Sequence, residues 1–445
     1  MSIAAVSRAP DEHAWAAALR DVWARTDALL GRIAPAALHL RPIALRHPLL
    51  FYLGHLPAFA WNQIGSGVLG HGPLHARFDV LFERGIDPAD APADATAAAS
   101  IADWPATDEI LAYRDEVRRA VLGCLPELAG LAGLAGRGDL LAERGRIVHL
   151  VVEHEQMHHE TLLYMLQECP AGVFDPPVDI AALPGGDGAA PEPRPVPAGP
   201  AVLGARFSDL AFGWDNEFER CEVHVPAFVI DSVPVRNRDW RDFLAALTAT
   251  GSSRAHALLP VSWVQESGAC RIKTVLGRVP FERAAGWPVQ VSGLQARAYC
   301  DWRGGRLATE AELHRAARGE GAAPHPWPHP WGQAPPAPVH GNFDLAHWAP
   351  VPVGQYPAGR SPYGVDELVG NGWEWTCTPF APLPGFKAYA RTYPGYSADF
   401  FDGDHDVVFG ASWATHRQLV RPSFRNWYRR SYPYVFSSFR VVHRA

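Results

Sequence analysis

The residues whose type and spacing could do chemistry lie between Val151 and Glu160, in the run VVEHEQMHHE. On a helix, His154 and His158 stand one above the other, close enough for both imidazoles to grip one metal ion. The surrounding sequence supplies that helix, because Ile147, Val151, His154, His158, Leu162 and Met165 recur at steps of three and four on one stripe. Histidine thus takes two places where an amphipathic helix normally carries leucine. The plain alternative is a pair of core histidines satisfied by hydrogen bonds. A single histidine on the stripe would favour it, whereas two at ligand spacing favour a metal. His159 projects about 100° away from His158 on a helix, outside that grip.

Such a pair needs other helices to enclose it. Trp15, Leu19, Val22, Trp23, Leu29 and Leu30 form an apolar face, and Gly31 is placed to end that helix. A second helix is expected from His47 to Trp61, with Pro48 in its first turn and Pro57 kinking or stopping it. His55 then sits at the break, near exposed backbone groups. A metal on His154 and His158 lacks a third protein ligand, and His55 is the candidate in the first half of the chain. Residues 85–105 are rich in Ala, Asp and Pro and read as a loop. Thr107 is a fitting N-cap, with Asp108 and Glu109 in the first turn, for a third helix through about Leu122. With the histidine helix this makes four, a bundle holding a metal in its core.

The Pro- and Gly-rich stretch 184–200 cannot build a core and is expected to connect a helical domain, 1–183, to a second domain, 201–445. Beyond it, short apolar segments such as Cys221 to Ile230 alternate with Gly, Pro and Asn, and Trp and Tyr become frequent. Two helical stretches are expected, Arg236 to Leu247 and Ser292 to Ala317. The fold class expected is therefore α+β, a helical bundle followed by an irregular mixed domain whose long loops serve binding.

Composition narrows the function. The 445 residues exceed one core, and 48% apolar with 20% charged residues is a globular balance. A net charge of -7 argues against a nucleic-acid partner or an anionic membrane surface. No apolar run is long enough to span a bilayer, and the first twenty residues lack the core of a signal peptide, so a cytoplasmic protein is expected. Six cysteines without a C-x-x-C spacing signal neither a zinc ribbon nor a disulfide framework.

The second half carries motifs specific enough for a family. Phe212 to Glu217 (FGWDNE), Pro288 to Ser292, Ala298 to Glu312, Gly370 to Thr376 (GNGWEWT), Gly410 to Thr415 and Phe424 to Trp427 (FRNW) resemble the formylglycine-generating-enzyme fold. A true formylglycine-generating enzyme also needs a reactive cysteine pair late in the domain, and this chain has no cysteine after Cys377. Leu53-Gly54-His55 with His154 to His158 resembles a DinB-type bundle. Fused in this order, the two resemble the non-heme iron sulfoxide synthases of ergothioneine biosynthesis and their selenoneine-forming relatives.

The resemblance implies Fe(II) on His55, His154 and His158, with open positions for O2 and substrate. It implies hercynine, the trimethylated histidine, as substrate. Asn426 and Trp427 match the part of the pocket that takes its cation, and an ammonium over an aromatic face is a sound pairing. Tyr393 and Tyr396 fall where the family places active-site tyrosines; a phenol there could deliver a proton or an electron, and the plain alternative is a structural aromatic. Met157 stands where many sulfoxide synthases have a second Gln, leaving Gln156 as the candidate substrate contact.

The donor is read from departures. Family members that use gamma-glutamylcysteine resemble one another in an arginine-rich stretch ahead of the third helix, whereas Arg84 is followed by no basic residue until Arg114. After Phe-Arg-Asn-Trp they carry an acidic residue and, about a turn later, an arginine; this chain has Tyr428 and Tyr432 there, and Arg429 and Arg430 are out of register. Without bidentate arginine clamps a dicarboxylate fits poorly, and Tyr428, Tyr432 and Tyr434 suit a hydroxyl-rich selenosugar better. A thiol donor is the alternative within the family. Outside it stand a zinc- or nickel-dependent thiol transferase, which performs no oxidation, and a binding module with structural histidines. Glu217, Glu310 and Glu312 are expected to serve structure, Gly370 to Gly372 to be a turn, and His405 and His416 have no assigned role.

Overall fold

The computed structural model describes residues 11–83, 104–132, 140–319, 328–389 and 395–443. The chain divides into two compact units, one of Met1–Asp175 with Ser208–Phe212 and Tyr389–Tyr393, the other of Pro176–Phe207, Gly213–Ala388 and Pro394–Ala445. The architecture is α+β, a helical unit followed by a mixed one. No helix among the described residues is long and apolar enough to cross a membrane.

The helical unit holds α1 (Glu12–Leu30), α2 (Leu49–Trp61), a π-helical turn (Asn62–Val68), α3 (Ala76–Leu81), α4 (Thr107–Ala132) and α5 (Arg146–Gln167). Asp11 caps α1 by accepting from the Ala14 amide, and the predicted apolar face of Trp15 to Leu30 is buried. Helix α1 packs on α5 and α4, and α2 packs on α4 and α5. Helix α5 begins abruptly at Gly145, φ +65°, where an added Cβ would lie 1.9 Å from the Trp15 ring. Only glycine fits both the left-handed backbone and that approach.

Two expectations are corrected here. Pro57 does not stop α2; the helix runs through it to Trp61, and His55 lies inside the helix, 1% exposed, instead of at a break. Every residue of α2 is buried, and that packing outweighs the roughly 3 kcal/mol that an interior proline takes from a helix. The third helix continues past Leu122 to Ala132 with Pro126 inside it, because Cys124, Leu125 and Leu128 keep its buried face going.

Among the described residues the mixed unit contains four sheets. One has the order β1 (Pro193–Val196), β4 (Phe228–Asp231), β13 (Val441–His443), β8 (Gly305–Leu307), so part of the 184–200 stretch is an edge strand, where proline is tolerated. Another has the order β11 (Asn426–Arg429), β10 (His405–Phe409), β9 (Trp373–Pro379), β12 (Ser437–Ser438). A hairpin pairs β2 (Gly199–Leu203) with β3 (Cys221–Val225), and a three-stranded meander joins β5 (Trp263–Glu266), β6 (Ala269–Thr274) and β7 (Gly277–Pro280). The helices are α6 (Asn237–Ala249), α7 (Arg254–Ala257), α8 (Phe281–Ala284), α9 (Gly293–Trp302), α10 (Glu310–Ala317) and α11 (Gly395–Ala398). The expected single helix from Ser292 to Ala317 is thus two, interrupted by Gly304 at φ +70° and by β8. Ser292 and Thr309 each open a helix with a capping box, closed by Gln295 and Glu312.

Buried ion pairs tie the last thirty residues to earlier motifs. Arg421 binds Glu217, Arg425 binds Glu310 through both nitrogens at 2.8 and 3.0 Å, and Arg440 binds Glu374 at 2.7 and 2.5 Å. The carboxylates that could be mistaken for acid–base groups are therefore structural partners of arginine.

Glu367 is different, since its oxygens accept from the amides of Gly354 and Gln355 and from the Asn371 side chain. Burial nevertheless pushes its carboxyl up to about 7. A carboxyl raised in the folded state stabilises below its unfolded value of 4.5, and that contribution disappears as pH rises through 7. Glu367→Gln is therefore expected to gain stability relative to the parent between pH 5 and pH 8, by about 2–3 kcal/mol. Denaturant midpoints across that range check it, and a difference independent of pH would count against it.

Candidate metal centre

His55 on α2 and His154 and His158 on α5 converge. His158 Nε2 lies 3.2 Å from His55 Nε2 and 3.2 Å from His154 Nε2, and the three ligand atoms fall within 4.8 Å of one another. Among the described residues no other group of three His, Cys, Asp or Glu is placed to hold an ion.

The donor set fits a metal. His55 Nδ1 is 2.7 Å from the Phe82 carbonyl, which can only accept, so Nδ1 carries the proton and Nε2 presents its lone pair to the cluster. Burial pulls His55 down to about 4, partly offset by that hydrogen bond. Burial likewise holds His154 and His158 well below the usual range, and the neighbouring imidazoles add to it. All three are thus neutral near pH 7, the state in which an imidazole nitrogen ligates a metal. A metal–nitrogen bond of about 2.1 Å places two ligands about 3.0 Å apart at a right angle and about 3.4 Å at the tetrahedral angle, which brackets the separations seen.

The chain builds this cluster from local choices. An added Cβ at Gly54 would lie 2.5 Å from the Phe82 ring, so glycine is what lets Phe82 approach α2 and offer its carbonyl to His55. Gly54→Ala is expected to displace Phe82, to destabilise the helical unit by about 1–3 kcal/mol and to weaken metal binding about tenfold. Thermal midpoints with and without metal, together with a metal titration, measure both effects.

Tight contacts surround the cluster. Phe59 stacks on His154 at 3.5 Å between centroids and 9° between planes, and Phe51 stacks on His55 at 5.0 Å and 20°. Neither residue was singled out from the sequence, although Phe51, His55 and Phe59 repeat at steps of four on one helix. His159 points elsewhere, as expected, with Nε2 2.7 Å from the Thr26 hydroxyl, which also bonds Glu155. Gln156 is buried on α5, two residues after His154.

The remaining candidates belong to the mixed unit. Asn426 and Trp427 stand on β11, and the Asn426 side chain accepts from the Trp427 amide at 2.9 Å. Trp427 stacks on Phe380 at 4.0 Å and 6°, with Tyr396 edge-on at 5.2 Å and Phe400 tilted at 5.8 Å. Tyr396 also stacks on Trp214 at 4.0 Å, and its neighbour Ser397 donates to Asp215 and accepts from Asn216. Tyr393 and Arg84 lie outside the described residues.

Tyr428 follows Trp427 on the opposite face of the strand and stacks on Tyr432 at 6.1 Å, which meets Tyr434 edge-on at 5.2 Å. Arg430 and Arg297 both bind Asp406, which is fully buried, and Arg429 is 3.8 Å from Asp404. His405 pairs with Asp402 at 3.0 Å, and His416 caps a turn by accepting from the Gln418 amide, so both have structural work.

Comparison with known proteins completes the description. Residues 18–162 match the DinB superfamily, and residues 186–445 match the sulfatase-modifying factor enzyme 1-like domain. This defines the class, a DinB-type helical region joined to a formylglycine-generating-enzyme-like domain. "Ergothioneine biosynthesis protein 1" of Neurospora crassa is 29% identical over 530 residues, covering 99% of this chain and 58% of that protein. "Hercynine oxygenase" of Mycolicibacterium smegmatis is 36% identical over 310 residues, covering 66% of this chain and 70% of that one. The solved structure of PvdO from Pseudomonas aeruginosa aligns at a TM-score of 0.41 and 22% identity, over 57% of this chain and 95% of that chain. The chain belongs to the family of the hercynine oxygenases and ergothioneine biosynthesis proteins. It spans 58% of the length of the Neurospora relative.

Proposed function

We propose that this chain joins a chalcogen to the imidazole carbon between the two nitrogens of hercynine, using iron(II) and O2, with a selenosugar as donor. The observation that carries the oxidative reading is the meeting of His55, His154 and His158 as three neutral imidazoles, 3.2 Å apart at two of their edges. Iron(II) held by these nitrogens would supply O2 activation, with positions left for ligands other than protein.

The remaining work falls to this chain's own groups. Buried His55 and His154 and half-buried His158 keep the metal-binding atoms unprotonated near pH 7. The aromatic cluster of Trp427, Phe380, Tyr396 and Phe400, beside Asn426, suits a trimethylammonium group, which is attracted to ring faces and has no proton to donate. Tyr396, or Tyr393, is the candidate phenol for delivering a proton, and Gln156 the candidate amide contact to substrate.

Charge bears on the choice of donor. Arg430 and Arg297 share one buried carboxylate, Asp406, and Arg429 stands beside Asp404. Arginines engaged in this way are poor clamps for a dipeptide with two carboxylates. The tyrosines 428, 432 and 434 offer rings and hydroxyls, which favour a neutral, hydroxyl-rich sugar. With O2 as oxidant, hercynine and a selenosugar selenol would give the selenoxide and water; selenoneine would then require an external reductant and cleavage of the sugar carbon–selenium bond.

The names of the relatives favour a second reading within the same chemistry, a thiol such as gamma-glutamylcysteine and a carbon–sulfur bond. Equimolar selenoglucose and gamma-glutamylcysteine, offered together with hercynine, separate the two. Predominantly selenium-containing product by mass supports the selenosugar, and predominantly sulfoxide from the peptide returns the chain to the sulfur reading.

A further inference from the structure

The three imidazoles are held in unequal ways. His55 is fixed twice, by the Phe82 carbonyl at 2.7 Å and by the Phe51 ring, itself stacked on His47 at 4.1 Å and 22°. His158 has a buried Nδ1 without a hydrogen-bond partner, and its ring meets Tyr52 only at a tilt, 5.5 Å and 55°. His154 lies flat against Phe59, the closest and most nearly parallel of these ring contacts. Phe59 is one turn beyond His55 on α2 and 2% exposed, so the helix that carries one candidate ligand also carries the wall against which the second lies.

An imidazole turns about its second side-chain torsion in a broad, roughly two-fold well. Rotation there sweeps Nε2 through an arc while the backbone stays still. A parallel ring at 3.5 Å blocks that sweep, because turning His154 out of plane drives its edge into Phe59, which close packing keeps in place. A leucine of similar volume would fill the space and leave the imidazole free to swing.

We infer that Phe59 is a positioning residue: its ring sets the plane of His154 and thereby aims Nε2 at the point shared with His55 and His158. The inference rests on the reading of these three histidines as metal ligands, and deepens it. The residue touches neither metal nor substrate in this role; it acts through His154.

The test uses the full chain and cobalt(II), whose visible absorption reports ligand number and geometry. Phe59→Leu and Phe59→Met are expected to lower cobalt affinity about 10- to 100-fold and to shift or weaken the visible bands, while Phe59→Tyr keeps both. In the metal-free protein the His154 ring protons are expected at high field in the parent and in Phe59→Tyr, and to move downfield once the aromatic ring is gone. Leu50→Ala, at an equally buried position on the same helix, is the control for general loosening, expected to lower the thermal midpoint and spare cobalt affinity. Parental affinity and spectrum in Phe59→Leu or Phe59→Met would overturn the proposal, as would an equal affinity loss in Leu50→Ala. A parent that binds no cobalt or iron would overturn the metal reading itself, and the histidine proton shifts show separately whether the ring stack exists.

Discussion

Replacing His154 by alanine is expected to lower iron(II) or cobalt(II) affinity by more than about 100-fold, beyond what the loss of an outer partner of a ligand does, and to bring product formation to background. The expectation follows from the cluster geometry: His154 supplies one of three converging nitrogens, and a methyl group leaves two. His159→Ala is the matched comparison, five residues further along α5, where the imidazole faces Thr26 and not the cluster. It should cost stability and leave metal affinity within a few-fold of the parent. Titrations of both variants under anaerobic conditions measure this. Similar losses in the two would mean that α5 as a whole had been disturbed, and an unaffected His154→Ala would remove that residue from the site.

The second large effect is expected far from any metal chemistry. The Arg440 guanidinium is wholly enclosed, bonds both oxygens of Glu374, and donates to the carbonyls of Asp231, Ser232, Asp366 and Glu367. Arg440→Met leaves a buried carboxylate without its cation, which typically costs about 3–5 kcal/mol. The double variant Arg440→Met with Glu374→Leu removes both charges and is expected to recover part of the loss. Thermal and denaturant unfolding of the single and double variants check this; a single variant as stable as the parent would show that Glu374 finds another partner.

Much of the site was legible in the sequence, for definite reasons. The pair His154 and His158 could be read from spacing alone, since residues four apart on a helix share one face. His55 was reached by need and by resemblance, and its setting was misread: local proline chemistry argued for a break at Pro57, while the burial of every residue of α2 settled the matter the other way. The same limit explains why the stretch from Ser292 to Ala317 is two helices, since a strand as short as β8 has no pattern of its own and owes its existence to pairing with β13. Gly54 was legible only as part of the Leu53-Gly54-His55 motif, and its role with Phe82, like that of Phe59, was not, because which ring and which carbonyl come near is decided by packing. The carboxylates Glu217 and Glu310 could be set aside as structural from the sequence, but their arginine partners, 204 and 115 positions away, could not be assigned from it.

The proposed activity is an iron- and O2-dependent oxidation of hercynine. The most direct measurement reconstitutes the metal-free protein anaerobically with iron(II) or with zinc, adds hercynine and a donor, and follows product mass before and after O2 is admitted. A new carbon–selenium or carbon–sulfur bond that forms only with iron(II), and only after O2 enters, is the predicted result. Product formed equally well with zinc and without O2 would contradict the account and point to a transferase that performs no oxidation.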